Sequence, residues 1–260
     1  MIYQQLQNGT ICNGDCLELM KTIPDKFVDM ILCDLPYGTT ACKWDTVIPF
    51  EPLWKQYKRI IKDNGVIVLT ASQPFTSVLG ASNIGMLKYS WVWKKSRPTN
   101  FTQAKRMPLK GFEDILVFYS RPPIYNPQDT IACDRTVKNT GTKSKGRLGL
   151  KTDCDVAYHG VIVGSDENDC YSQTLTNYPR GIIEFAQESK SIHPTQKPVA
   201  LFEYLIKTYT NEGELVLDNC SGSGTTAIAC LNTNRQFICI EKDEGYYEKS
   251  IERVRNHKCT

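Results

Sequence analysis

Two rhythms of apolar residues alternate along this chain. Short apolar runs are followed by longer amphipathic stretches, a pattern that marks β-α-β units on a parallel sheet. The runs place strands at 28–33, 66–71, 89–94, 115–119, 215–218 and 237–241. The amphipathic stretches place helices at 52–62, 74–82, 198–209, 225–231 and 244–255. Three of these helices open near a proline, which suits a first turn because an amide there has no intrahelical partner to lose. The expected fold class is α/β, with a doubly wound, mostly parallel sheet.

Both rhythms stop between residues 121 and 190. That stretch opens with RPPIYNP, passes through TVKNTGTKSKGRLGLKTD and ends in polar, acidic sequence. A structureless loop of this length is unusual inside a compact domain. It reads as a functional insertion or as a disordered segment.

Composition narrows the picture. The chain has 260 residues, 41% hydrophobic, enough for a substantial core. The formal net charge of +3 permits a nucleic-acid partner without arguing for one. Eleven cysteines, an odd number, form no C-x-x-C pair, and the three histidines have no zinc-ligand spacing. Several cysteines sit in apolar runs, as buried thiols of a reducing compartment do. No metal site is expected. The opening MIYQQLQNGT has neither a basic nor an apolar run, and no apolar stretch is long enough to cross a membrane, so a cytoplasmic location is expected.

Three short motifs carry chemistry. Asp34-Leu35-Pro36-Tyr37-Gly38 directly follows the apolar run FVDMILC. It therefore lies at the carboxyl end of a strand, where open α/β sheets bind ligands. An exocyclic amine on a base is a poor nucleophile because its lone pair is delocalised into the ring. A carboxylate and a backbone carbonyl that each accept one N–H favour a geometry that frees the lone pair. Proline holds the preceding carbonyl in place, and a tyrosine ring can stack on an extracted base. Asp, Pro and Gly are also turn formers, so this motif alone reads equally as a plain strand-end turn.

The second motif runs from Val216 through Asp218 to Gly222, Gly224 and Thr225. An apolar strand ends in an acid, and glycines open the next helix, where backbone can approach a ligand and a helix N-terminus favours a carboxylate. No Lys-[Ser/Thr] ending follows, which argues against a nucleoside triphosphate. Glu241 closes the next strand, the position that grips a ribose hydroxyl pair, with Asp243 as a rival. The third motif, His193-Pro194-Thr195-Gln196-Lys197-Pro198, is a stiff loop at a helix entrance, where Lys197 could pair with a carboxylate and His193 reads as structural.

In this order, DLPYG, HPTQKP and DNCSGSGTT resemble the amino-directed DNA methyltransferases of the permuted β group. The resemblance covers nearly the whole chain except 121–190. It implies a Rossmann-like methyltransferase fold with residues 1–120 as catalytic half, 121–190 as an inserted target-recognition region and 191–260 as cofactor half. It implies S-adenosyl-L-methionine as methyl donor and N6 of adenine, in duplex DNA with the base flipped out, as acceptor. Asp34, Leu35, Pro36 and Tyr37 become the catalytic set. Asp15 (in Asn13-Gly14-Asp15-Cys16), Thr195, Lys197, Asp218, Gly222, Gly224, Thr225 and Glu241 become the cofactor set. Leu35 departs from the usual proline, and Asn219-Cys220 replace the usual Pro-Phe. Asp34 resembles adenine-N6 members more than cytosine-N4 members. A homodimer and a cognate restriction enzyme are assemblies such enzymes form, and no membrane is implied.

Residues 64–112 hold no Asp or Glu, and their basic residues are interleaved with aromatics. Lys95, Arg97, Lys105 and Arg106 are expected on DNA phosphate, whereas Trp91 and Trp93 suit core packing at least as well. A second acid-free basic run gives Lys143, Lys145 and Arg147, and Lys43 follows the first motif. The alternatives are a cytosine-N4 methyltransferase, an RNA or protein-amide methyltransferase and a non-catalytic DNA-binding module of the same fold.

Overall fold

The computed structural model describes residues 2–39, 45–138, 170–187 and 196–257. In chain order the elements are β1 (Ile2–Leu6), β2 (Gly9–Asn13), α1 (Cys16–Met20), β3 (Val28–Asp34), α2 (Phe50–Ile60), β4 (Ile61–Ala71), α3 (Phe75–Ser82), β5 (Leu87–Thr99) and β6 (Lys110–Phe118). These are followed by β7 (Ile131–Lys138), β8 (Cys170–Thr176), β9 (Ile182–Phe185), α4 (Val199–Tyr209), β10 (Leu215–Asp218), α5 (Thr225–Asn232), β11 (Gln236–Glu241) and α6 (Glu244–Arg255).

Among the described residues, nine strands form one sheet in the order β1-β2-β11-β10-β3-β4-β6-β5-β9. From β2 to β4 every pairing is parallel, and β6 runs antiparallel between β4 and β5. The chain winds outward from β3 through β4 and from β10 through β11. The strand order therefore reverses where β10 meets β3, with Val216 opposite Met30 and Leu217 opposite Ile31. That is the point at which such sheets open a ligand crevice.

Alternation along the strands sorts the side chains into two cores, one on each face of the sheet. Met30, Leu32, Val66, Val68, Trp91, Trp93, Ile115 and Val216 face one core with Leu201, Phe202 and Leu205 of α4. Ile31, Cys33, Ile67, Leu69 and Leu217 face the other with Leu53, Trp54 and Tyr57 of α2. The apolar spacing in α2 and α4 turns one stripe of each helix to the sheet. Trp91 donates to the Tyr209 hydroxyl at 2.7 Å and Trp93 to the Phe185 carbonyl at 3.0 Å, so both tryptophans belong to the core.

The expected strands and helices are present, with differences at the margins. β5 continues to Thr99 because Lys94 pairs with Phe112 and Thr99 with Lys110, extending the ladder beyond its apolar run. The β1–β2 hairpin turns at Asn8, which takes a left-handed φ of 61° before Gly9. The inserted unit is narrower than 121–190. Residues 127–179 form a separate compact unit whose described strands are the antiparallel pair β7 and β8. Its flanks belong to the main unit: Asn126 donates from its backbone to the Thr208 carbonyl at 2.7 Å, and β9 adds to β5. Among the described residues, no helix is long and apolar enough to cross a membrane.

Candidate active site

The period-2 alternation that packs the α4-side core also builds the site. Asp34 continues the Met30-Leu32 row, Thr70 the Val66-Val68 row and Lys95 the Trp91-Trp93 row. Glu113, across from Trp93 in β6, starts the row that continues to Ile115. Each polar side chain sits where its row leaves the core at the sheet's end. Asp218 and Glu241 end the equivalent rows of β10 and β11. Six strands thus deliver their polar ends to one side of one edge.

They converge on a cavity of about 760 Å³, within the usual range for small-molecule sites. Asp34, Leu35, Pro36 and Tyr37 line one part of it, and Asp15, Asp218, Gly222, Thr225 and Glu241 another. Gly224 takes a φ of 74° as it opens α5, and an added Cβ would stand 3.1 Å from Ser250, so both space and backbone favour glycine.

On the β3 side the Asp34 carboxylate is densely held. Its Oδ1 accepts the Tyr37 hydroxyl at 2.7 Å and the Thr70 hydroxyl, while its Oδ2 accepts Lys197 Nζ at 2.6 Å. Lys197 also lies 3.2 Å from Glu113 Oε2, and Lys95 lies 2.6 Å from Glu113 Oε1. Two acids and two bases thus alternate in a chain that is buried except at the partly exposed Asp34. Burial alone would lower the Lys197 pKa, but Asp34 and Glu113 turn the net shift upward. Burial alone would raise the Glu113 pKa, and Lys197 and Lys95 turn it downward. Burial and the neighbouring Asp34 charge hold the Tyr37 phenol well above its ordinary range. The Tyr37 ring stacks on Phe75 at 5.1 Å.

On the β10 side Glu241 organises the glycine turn. Its Oε2 accepts the Gly222 amide at 2.7 Å and its Oε1 the Asp243 amide at 2.8 Å. Asp243 instead caps α6 through the Tyr246 amide at 3.0 Å, which separates the two rival acids. Asp218 accepts the Cys220 amide at 3.0 Å and the Thr226 hydroxyl; burial outweighs both and pushes its carboxyl up to about 6. Asp15 caps α1 through the Leu17 amide at 3.0 Å. Ser221 Oγ is buried on the cavity wall with no hydrogen-bond partner among the described residues, so a polar ligand atom would satisfy it. Amides at a helix start, an acid at the end of β11 and this orphaned hydroxyl together suit a ligand with a carboxylate and a ribose.

The departure at Asn219 has a local reason. Its Oδ1 accepts the Tyr57 hydroxyl at 2.6 Å, both side chains being buried, so α2 anchors the turn that a proline would otherwise stiffen.

Some expected contacts move. Lys197, expected with the cofactor set, places its ammonium on Asp34 and Glu113. Lys95 does not reach outward to phosphate; its side chain is 8% exposed because strand alternation points it inward to Glu113. Arg97, Lys105 and Arg106 are exposed, in a stretch whose Thr99 and Lys110 reach the cavity wall. Lys43, Lys143, Lys145, Arg147, Thr195 and His193 lie outside the described residues. Thr70, Glu113 and Ser221 were not singled out from sequence, and Asn219 only as a departure from the family pattern. For Thr70 and Glu113 the available signal was their place at the polar end of an alternating strand.

Comparison with known proteins agrees with this geometry. A family model described as DNA methylase, for the N6/N4 methyltransferases, matches residues 28–252. The DNA adenine methyltransferase YhdJ of Escherichia coli (strain K12) is 27% identical over 94% of this chain and 82% of its own length. The type II methyltransferase M.HpaI of Haemophilus parainfluenzae is 26% identical over 94% of this chain and 73% of its own. Among solved structures, the M1.HpyAVI–SAM complex superposes with a TM-score of 0.60 at 23% identity, covering 94% of this chain and 98% of that one. The cytosine-N4-specific PvuII DNA methyltransferase gives 0.66 at 14% identity, over 96% and 87%. The matched region holds both Asp34 and the Asp218–Glu241 turn, and this chain belongs to the N6/N4 DNA methylase family.

Proposed function

We propose that this protein methylates N6 of adenine in DNA, on a base turned out of the duplex, with S-adenosyl-L-methionine as donor. The observation that carries the reading is the meeting of Asp34 and the Gly222–Glu241 turn in one cavity at the β3–β10 switch point. Glu241 would hold the ribose, Asp15 the adenine edge, and the amides of the glycine turn with Ser221 the methionine end. When bound there, the donor supplies a sulfonium methyl, which the amine takes on its lone pair while the C–S electron pair stays on sulfur.

The chain's own residues position the acceptor. Asp34 accepts one amine N–H, and the Leu35 carbonyl, held by Pro36, accepts the other. The carboxylate also compensates the positive charge that forms on nitrogen before a proton leaves to water. Extruding the base costs a few kcal/mol, which phosphate contacts from Arg97, Lys105 and Arg106 offset. Exposed Phe101 and Phe112 lie among these cations and suit stacking beside the displaced base. The 127–179 unit, with its basic run at Lys143, Lys145 and Arg147, would read the target sequence. The described cysteines are all free, which suits the cytoplasm.

Adenine is favoured by Asp34 and by one relative, YhdJ, named as a DNA adenine methyltransferase. The fold itself is shared with a cytosine-N4 enzyme. Labelled methyl transfer to DNA followed by nucleoside analysis tests the assignment. N6-methyladenine is expected; N4-methylcytosine alone overturns it. Asp34→Asn should abolish transfer while leaving cofactor affinity within about twofold, the pattern of an interaction made only in the transition state.

A further inference from the structure

The way Asp34 is bonded poses a problem for the reaction proposed above, and its neighbours suggest the answer. An ionised carboxylate has about four lone-pair sites. Two hydroxyls, from Tyr37 and Thr70, fill Oδ1. Lys197 takes one site on Oδ2 at 2.6 Å, so the amine must share that oxygen with an ammonium. Before transfer this is tolerable, because the amine is neutral. As the N–C bond forms, the amine nitrogen gains a positive charge beside Lys197, and two cations on one oxygen repel.

Glu113 offers Lys197 somewhere to go. Its Oε2 is buried and pairs with Nζ at 3.2 Å, a looser contact than the 2.6 Å between Nζ and Asp34. A charge-assisted pair at its best is shorter, about 2.7–2.9 Å, so this contact has room to tighten. Here it is an acceptor already in place for a lysine that swings through a small angle. The other oxygen is fixed by Lys95, whose side chain is 8% exposed, so Glu113 itself is held still. Lys95 and Glu113 lie on paired strands, and Lys197 precedes α4 on the same face of the sheet.

We propose that Glu113 is a positioning residue that takes over the Lys197 ammonium as the methylated amine claims Asp34. Lys197 is then a movable charge, closer to Asp34 at rest and closer to Glu113 during transfer. Lys95 keeps the buried set neutral throughout. The proton that leaves the methylated nitrogen goes to water, after which Lys197 returns. The proposal rests on the reading of Asp34 as the acceptor of the amine.

Three variants test it: Glu113→Gln, Lys95→Met and the double variant. Single-turnover transfer, melting midpoint and calorimetric affinity for S-adenosylhomocysteine are measured on each. Glu113→Gln should slow single-turnover transfer about 10²-fold, the scale of removing one preorganised electrostatic partner, with ligand affinity unchanged. The double variant again has equal buried acids and bases, so it should recover the melting midpoint but not the rate. Recovery of both would show that Glu113 only neutralises Lys95 and would overturn the proposal. Should Glu113→Gln alone fold poorly, the double variant carries the test. A wild-type rate in Glu113→Gln alongside an inactive Asp34→Asn sinks this proposal alone. A wild-type rate in Asp34→Asn sinks the reading of the site and this proposal with it.

Discussion

The hydroxyl of Tyr37 separates two roles for that side chain. If the ring only stacks on an extruded base, Tyr37→Phe is nearly silent. The structure gives the hydroxyl a partner, 2.7 Å from Asp34 Oδ1 in a part-buried site. A hydrogen bond to a charged group contributes roughly 1.5–3 kcal/mol. Thr70 still holds the same oxygen, so the carboxylate stays roughly in place and the lower end of that range applies. At ~1.4 kcal/mol per tenfold, Tyr37→Phe should slow transfer about tenfold. Tyr37→Ala also loses base stacking, worth ~1–3 kcal/mol, and should slow it by a further ten- to hundredfold, roughly. The assay is single-turnover transfer of labelled methyl with enzyme in excess, alongside 2-aminopurine fluorescence at the target to report extrusion. Tyr37→Phe should leave the fluorescence change intact while the rate falls. A Phe variant within twofold of wild type would refute the argument that the hydroxyl tunes Asp34, and a lost fluorescence change would move the hydroxyl's role to base capture.

Two stability predictions follow from the other half of the site. Tyr57→Phe leaves the buried Asn219 Oδ1 without its donor. An orphaned group of this kind costs about 1–3 kcal/mol, so calorimetry should show a melting midpoint lower by about 2–4 °C for each kcal/mol lost. Asp218 has its folded-state carboxyl raised to about 6 by burial, above the ~3.9 of an unfolded aspartate. The folded state therefore binds this proton more tightly, and the associated stability is full below about pH 4 and lost as pH rises through about 6. Asp218→Asn removes that slope. The difference in melting midpoint between variant and wild type should shift in the variant's favour from pH 4 to pH 7, and a constant difference would contradict the assignment.

Much of the site was legible because one rule serves both core and chemistry. An apolar run with an acid at its end names the strand and the polar group it carries to the cavity at once, as Val28–Asp34 and Leu215–Asp218 do. The same rule, carried along β5, would have turned Lys95 inward with Trp91 and Trp93. Counting it with the basic stretch instead placed it on DNA. Its partner Glu113 lies in another strand, β6, and which strands adjoin is a tertiary fact that local sequence does not contain. Lys197 is similar: its motif marks a helix entrance, but only packing of α4 against the sheet brings it to Asp34. β9 was missed because its four residues gain their strand character from the open edge of β5. The β1–β2 hairpin did have a local signal, since Asn8-Gly9 between alternating residues is a strong turn signature.

The position of β10 also dictates how the molecule must assemble. Its parallel neighbours are β3, which precedes the 127–179 unit, and β11, which follows it. During synthesis β3 and β4 emerge well before β10, and the β10-facing edge of β3 stays unsatisfied while the whole 127–179 unit is made. The centre of the sheet is thus completed last, through contacts of long sequence separation, which slow folding. An unpaired apolar edge is a template for wrong partners. The same strand that joins the two halves of the crevice therefore sets the interval in which the nascent protein is most exposed to misassembly.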